Sequence, residues 1–279
     1  MRMVSSVCAT DVTSMHCGGT IERIYEPENP VELAEIIKDL DDFHILGGGS
    51  NTLFEDTTIT KPIIRLSREF NWIIPVSGGV RVGAATPMKR LVSYCTRNAL
   101  SGIEFMAGIP GLLGGAISMN AGTPDMGIMD IIAAIDVVDR SGVHTIARDD
   151  LRYGYRTGGI ASKTVVISAT FVLRKSAKDL VRLAVRPILE KKRKQPKGFS
   201  SGSIFRNPEG MPAGLLIEKA GLKGLRVGGA KVSEVHANFI INDCHATTSD
   251  IRKLISLIKE RVKSLFGIEL KEEVRIIGQ

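Results

Sequence analysis

Residues 102–122 read GIEFMAGIPGLLGGAISMNAG, with glycine at 102, 108, 111, 114, 115 and 122 of a largely apolar stretch. Glycine, lacking Cβ, lets a backbone approach a ligand or another chain segment closely. Pro110 stiffens the turn between Gly108 and Gly111. A second tract, Gly47-Gly48-Gly49-Ser50-Asn51, follows the apolar run Phe43-His-Ile-Leu46. Three consecutive residues without Cβ allow successive N–H groups to turn inward as a nest for an anion, with Ser50 and Asn51 as added side-chain donors. Either tract alone reads equally well as a tight turn. Together, each after an apolar strand or helix, they point to a pyrophosphate-bearing cofactor held by backbone amides.

Other cofactor signatures are missing from the sequence. No G-x-G-x-x-G stands on a strand–helix turn and no G-x-x-x-x-G-K-[ST] occurs, so the dinucleotide fingerprint and the P-loop are excluded. No G-x-S-x-G elbow is present, and no His or Cys cluster has zinc spacing, so no metal is expected. The chain has 279 residues, 43% hydrophobic and 24% charged, an ordinary globular mix that excludes a disordered or collagen-like chain. No apolar run approaches the roughly 20 residues that span a bilayer. The N-terminus has no apolar block of the kind a signal peptide carries, which predicts a cytoplasmic protein. Cys8, Cys17, Cys95 and Cys244 lie scattered and read as free thiols. The net charge of +7 suits anionic ligands; with 5% aromatics and only Trp72 as tryptophan, platforms for stacked bases are poorly supplied.

Outward from the glycine tracts, Val31–Leu40 keeps helical spacing through Leu33, Ile36, Ile37 and Leu40. Strands are predicted over 43–46, 62–66, 72–76, 80–84, 131–138, 164–173 and 273–278. Helices are predicted from Pro87 through Leu100, over 180–194, over 213–220, and from Ser249 as N-cap to a stop at Gly267. Lys191-Lys192-Arg193-Lys194 suits a solvated helix end; the residues alone leave open a part in attracting phosphates. Gly78-Gly79 and the Pro196 to Gly202 stretch are the natural boundaries.

The ordered blocks LGGGSN, GIEFMAGIPGLLGGAISMNAG, YGYRTG, SGSIFRNPEG, GGAKVSEVHANFIIN and EEVRIIG resemble the UDP-N-acetylenolpyruvoylglucosamine reductase family. The likeness runs from about residue 13 to the end. The compact length and HANFIIN resemble the shorter class, which lacks an inserted tyrosine-bearing loop. The resemblance implies an α+β chain with a vanillyl-alcohol-oxidase-like (PCMH-like) fold. Two FAD-binding subdomains, 1–77 and 78–192, would precede an α+β substrate domain, 193–279. It further implies reduction of FAD by NADPH and of the enolpyruvyl sugar nucleotide by the flavin. The partner would be this small molecule, with no nucleic acid, membrane or obligate protein partner.

By the same resemblance, FAD contacts would come from Gly47, Gly48, Gly49, Ser50, Asn51, Gly108, Ile109, Pro110, Gly111, Gly114, Gly115, Ala116, Asn120, Ala121 and Gly122. Ser203 matches the family's proton donor, chosen over Ser200 and Ser201 because the family's serine directly follows glycine. Arg156 matches the active-site arginine, whose planar fork suits a carboxylate gaining charge. Glu273 matches the C-terminal glutamate, with Glu272 its rival. Tyr155, Arg206, Asn207, Glu218, His236 and Asn238 are the expected substrate residues, His236 reading equally as a structural hydrogen-bonder. Two positions depart from the family: Thr157-Gly158, where a serine often stands two after the arginine, and Val235, where lysine is frequent. Lys231 is the nearby cation that would compensate for the second. The alternatives are another flavoprotein oxidoreductase or oxidase on this fold, and a non-enzymatic basic binding protein.

Overall fold

The first helix begins where Asn29 stops the preceding chain. Its side-chain oxygen accepts the N–H groups of Val31 and Glu32, Pro30 opens the helix, and α1 (Pro30–Asp39) buries Leu33, Ile36 and Ile37. In this computed structural model, which describes residues 2–278, α2 spans Met88–Arg97 and α3 Leu113–Ser118. The expected continuation of α2 to Leu100 does not form. The Asn98 side chain donates to the Tyr94 carbonyl and Ala99 adopts φ +54°, which turns the chain so that Leu100-Ser101 pairs antiparallel with Arg174-Lys175. Next come α4 (Lys178–Arg193), with Pro187 inside it, and α5 (Ala213–Lys219). Helix α6 (Thr248–Phe266) is capped by Thr247 and not by Ser249. Thr247 and Asp250 bond each other's backbone N–H, and Asp56 accepts the N–H groups of Thr248 and Ser249. That arrangement satisfies the helix N-terminus without Ser249. At the far end Gly267, at φ +70°, closes the helix on the Lys263 carbonyl.

The chain divides into two compact units. The first comprises the residues up to Val4, Arg23–Gly48 and Pro62–Arg193; the second comprises Ser5–Glu22, Gly49–Lys61 and the chain from Lys194 onward. The first holds a five-stranded antiparallel sheet ordered Gly142–Ala147, Ile132–Asp139, Val165–Val172, Gly79–Gly83, Ile73–Val76. Gly78 is therefore the turn of a hairpin inside one sheet. Both faces of the central strand are covered. Val165 and Ile167 pack with Leu33, Ile36 and Ile37 of α1, whereas Val166, Ala169 and Phe171 pack with Leu91 of α2 and Leu113 and Ile117 of α3. Coverage on two sides explains the unbroken apolar run in the sequence. Ile24 and Ile45 flank Ile63 and Ile64 in a parallel arrangement of Thr20–Glu26, Ile63–Ile64 and His44–Ile45.

The second unit has its own core, in which Met15, Cys17 and Leu53 join Leu216, Ile217, Ile251, Leu254, Ile258 and Val262. Its chain end, Arg275–Ile277, runs parallel to Thr52–Phe54. Burial raises the Cys17 thiol pKa and pushes that of Cys95 up to about 12, with the Glu104 charge adding to the second. Cys8 and Cys244 are exposed. In the native protein a thiol reagent at pH 8 should label Cys8 and Cys244 and leave Cys17 and Cys95 until denaturant is added. Peptide mapping checks this; rapid native labelling of Cys95 would contradict its burial.

Candidate active site

In the first unit the two glycine tracts meet backbone to backbone. A Cβ on Gly48 would lie 3.0 Å from Gly111 Cα, and one on Gly47 would lie 3.5 Å from Gly115 Cα. A Cβ on Gly115 would meet nothing within 4 Å. The N–H groups of Gly47 and Gly48 donate to no acceptor among the described residues. The result is a side-chain-free surface with open space and unspent donors. Other glycines of the tracts serve packing. The Gly114 N–H donates to the Ala84 carbonyl at 2.9 Å. A Cβ would fall 2.0 Å from the Val12 oxygen at Gly49, and 2.0 Å from the Met126 oxygen at Gly122. Ile109, Ala116 and Ala121 lie in or against the core, while Gly108 and Pro110 are exposed.

Beside the end of the 108–122 tract stands the turn that carries Arg156. Gly154 and Thr157 exchange N–H···O bonds of 2.9 and 3.2 Å, leaving Tyr155 and Arg156 as the two turn residues. Arg156 adopts φ +58°, and its guanidinium carbon stands 5.0 Å from the Tyr155 ring centre. A left-handed arginine is a strained choice that the surroundings must hold. They do so through Gly158, whose N–H donates to the Ser118 carbonyl, and through the Asn120 side chain, which donates to the Gly154 carbonyl at 2.9 Å. Asn120 also accepts the Met129 N–H at 3.1 Å. Its amide is thus engaged by the protein at both ends, where the family resemblance implied a cofactor contact.

Lys192 belongs to the same neighbourhood, which sequence reasoning saw only as part of a basic helix end. A Cβ on Gly108 would lie 2.7 Å from Lys192 Cγ, so the lysine stem lies across that glycine. Burial lowers the Lys192 ammonium from the usual lysine range, and the charges of Lys191 and Arg156 lower it further. The signal in the sequence was the glycine itself, since a bare backbone gives a lysine stem room to lie flat.

In the second unit, Ser203 leads a short extended run held from both sides. The Ile204 N–H donates to the Asn238 carbonyl, and the Ile204 carbonyl accepts the Glu273 N–H at 2.7 Å. Ser203 and Glu273 therefore flank one peptide ladder. Ser203 is half-buried, and its hydroxyl has no partner among the described residues. Ser201 is 3% exposed and the Ser200 carbonyl accepts the Ser14 hydroxyl. The Glu272 carboxylate is engaged by Lys259 at 2.8 Å.

Several expected contacts have other work. Asn238, 3% exposed, accepts the Phe205 N–H and donates to the Phe205 carbonyl. Leaving either group unpaired would cost about 1–3 kcal/mol, so this asparagine braces the Ser203 strand. The Asn51 side chain donates to the Glu273 carbonyl at 3.0 Å. Asn207 accepts the Ala213 N–H at the start of α5. Glu218 pairs with Lys223 and is exposed. His236 Nδ1 accepts the Asn238 N–H, the structural role open to it from the sequence. The Lys231 ammonium pairs with Glu234 at 2.6 Å, so it does not make up for Val235. Arg206 keeps a buried Nε without a partner.

Residues 194–277 match the family model of the UDP-N-acetylenolpyruvoylglucosamine reductase C-terminal domain, and residues 21–147 match the FAD binding domain model. The UDP-N-acetylenolpyruvoylglucosamine reductase of Anaplasma marginale is 36% identical over 272 residues, covering 96% of this chain and 91% of that protein. The enzyme of that name from Clostridium botulinum strain Alaska E43 is 39% identical over 270 residues, covering 94% and 88%. The chain belongs to the UDP-N-acetylenolpyruvoylglucosamine reductase family. The crystal structure of the Thermus caldophilus member superposes with a TM-score of 0.89 at 33% identity, covering 99% of both chains. An FAD fits the residues of this reductase-family chain on two counts. Gly115 has open space beside it, and the unspent N–H groups of Gly47 and Gly48 have the polarity that a pyrophosphate requires.

Proposed function

We infer that the protein is an FAD-dependent oxidoreductase that uses NADPH to reduce UDP-N-acetylenolpyruvoylglucosamine to UDP-N-acetylmuramate in peptidoglycan precursor synthesis. The family membership of the whole chain carries this reading. An FAD held there would supply the hydride chemistry that links NADPH to the methylene carbon of the enolpyruvyl group. The chain's residues then manage charge and one proton. Hydride addition pushes electron density toward the substrate carboxylate, and a fixed cation stabilises that charge as it develops. We assign this to Arg156, whose forked donors suit a carboxylate. The carbon beside the new methyl group must receive a proton, and we assign its delivery to the Ser203 hydroxyl. Glu273, flanking the same ladder, is assigned to hold the intermediate. Arg206, with a buried unpaired Nε, is assigned to the sugar nucleotide.

The flavin-binding segments are proposed as 1–77 and 78–192 and the substrate segment as 193–279. No helix among the described residues is long and apolar enough to cross a membrane. We place the protein in the cytoplasm, acting on its small-molecule substrate without nucleic acid, membrane or an obligate protein partner. The net charge of +7 accords with three anionic ligands.

An absorbance spectrum tests the activity. Purified protein reconstituted with FAD should be yellow, bleach when NADPH is added without oxygen, and recover its colour on addition of the enolpyruvyl sugar nucleotide. Recovery with oxygen but not with that substrate would establish an oxidase. Failure of folded protein to take up FAD would refute the flavoenzyme reading altogether.

A further inference from the structure

We infer that Asn120 is a positioning residue for Arg156: its buried amide ties the turn that presents the guanidinium to the end of the glycine-rich helix α3. The inference rests on the assignment of Arg156 to the substrate carboxylate. Asn120 follows α3 at φ +41° and is 8% exposed. Left-handed backbone is available to asparagine at small cost, unlike most residues with a Cβ. Its side chain uses both ends of the amide, the oxygen taking the Met129 N–H and the nitrogen reaching the Gly154 carbonyl. An aspartate would lack the second donor, and a leucine both bonds.

The surroundings are shaped for this amide. A Cβ on Gly127 would fall 2.1 Å from Asn120 Oδ1, so glycine at 127 is what leaves room for the side chain. The other stem of the turn is tied to the same stretch by the Gly158 N–H to the Ser118 carbonyl at 3.0 Å. Residues 118–120 therefore hold both stems of the Gly154–Thr157 turn, with Arg156 near its tip. Of these two tethers the Asn120 one runs through a side chain, and the Gly158 one needs the bare backbone, since a Cβ there would lie 2.1 Å from the Ile117 oxygen. A planar guanidinium acts through aligned donors, and a misplacement of about 1 Å costs about 100-fold in rate.

The test uses the FAD-loaded enzyme and two variants that remove the tether in different ways. Asn120→Gly deletes the amide at a backbone angle glycine accepts, and Gly127→Ala keeps the amide but displaces it. In both, FAD affinity and the rate of bleaching by NADPH should stay within about threefold, while reoxidation by the enolpyruvyl substrate slows by about 100-fold. Hydrogen exchange of the apoprotein should accelerate in the peptide spanning residues 152–158. In an Arg156→Lys background, Asn120→Gly should add little further slowing, because the two changes act through one group. Loss of FAD binding or of bleaching in both variants would put Asn120 in the cofactor pocket and overturn the inference. So would unchanged reoxidation, multiplicative slowing in the lysine background, or unchanged exchange. A wild-type rate in Arg156→Lys alone would remove the assigned role of Arg156, while the exchange measurement would still decide whether the tether exists. If one variant fails to fold, the other carries each comparison.

Discussion

Replacing Ser203 with alanine should leave bleaching of the bound flavin by NADPH intact and slow reduction of the enolpyruvyl sugar nucleotide by about 10²–10⁴-fold, the usual contribution of a placed general acid. Serine is a weak acid, so the argument is one of geometry and competition. The hydroxyl of Ser203 is half-buried and uncommitted, and its strand is fixed by Ile204, which bonds to Asn238 on one side and to Glu273 on the other. Ser201 is almost wholly buried, and Ser201→Ala should keep both half-reactions near the wild-type rates. Stopped-flow absorbance separates the two stages. Equal slowing of both by Ser203→Ala would mean a disturbed cofactor site and not a missing proton donor, and a normal second stage would clear Ser203 of any chemical part.

Gly115→Val should produce a stable protein that binds FAD more weakly. A Cβ at Gly115 meets nothing within 4 Å, so the apoprotein has room for the new side chain. The volume it fills is the space assigned to the cofactor, and overpacking of about 1–3 kcal/mol corresponds to an affinity loss of about 10–200-fold. Calorimetry on the apoprotein and titration with FAD make the two measurements. The same substitution at Gly114 should behave differently, because a Cβ there would lie 3.2 Å from the Ala84 Cβ and the apoprotein itself would lose stability. Normal FAD affinity in Gly115→Val would move the cofactor away from this surface.

Glycine spacing and apolar periodicity exposed much of this architecture in the sequence, since both report backbone requirements directly. Of the stripe Ile251, Leu254, Ile255, Ile258, Val262 and Leu265 that the period implies, all but Leu265 are buried, Leu265 being exposed in the last turn, and the helix stops at Gly267. The strands Arg2–Cys8, Thr20–Glu26 and Gly142–Ala147 escaped notice. Arg2–Cys8 is largely exposed and Gly142–Ala147 alternates half-buried with exposed residues, so neither carries an apolar run. Three asparagines show a deeper reason for the missed site details. Asn51, Asn120 and Asn238 stand in the motifs that suggest ligand contact, yet each gives its amide to a peptide group. The residue type states only that donors and acceptors exist; where they point follows from segments far away in the chain. The Lys259 ion pair to Glu272 likewise joins α6 to a segment that the local sequence does not connect with it.

The parallel pairing of Arg275–Ile277 with Thr52–Phe54 sets a timetable for biosynthesis. Met15, Cys17 and Leu53 leave the ribosome early, but the apolar partners they pack against lie beyond residue 200. These early segments wait with their hydrophobic groups exposed until the residues beyond 200 have been made, and closure over so long a separation is slow while aggregation competes. A chain cut before Arg275 would lack the strand that pairs with Thr52–Phe54, and with it the Arg275 N–H that bonds the Asn51 carbonyl. Synthesis of residues 275–277 thus doubles as a checkpoint on the loop after Gly49.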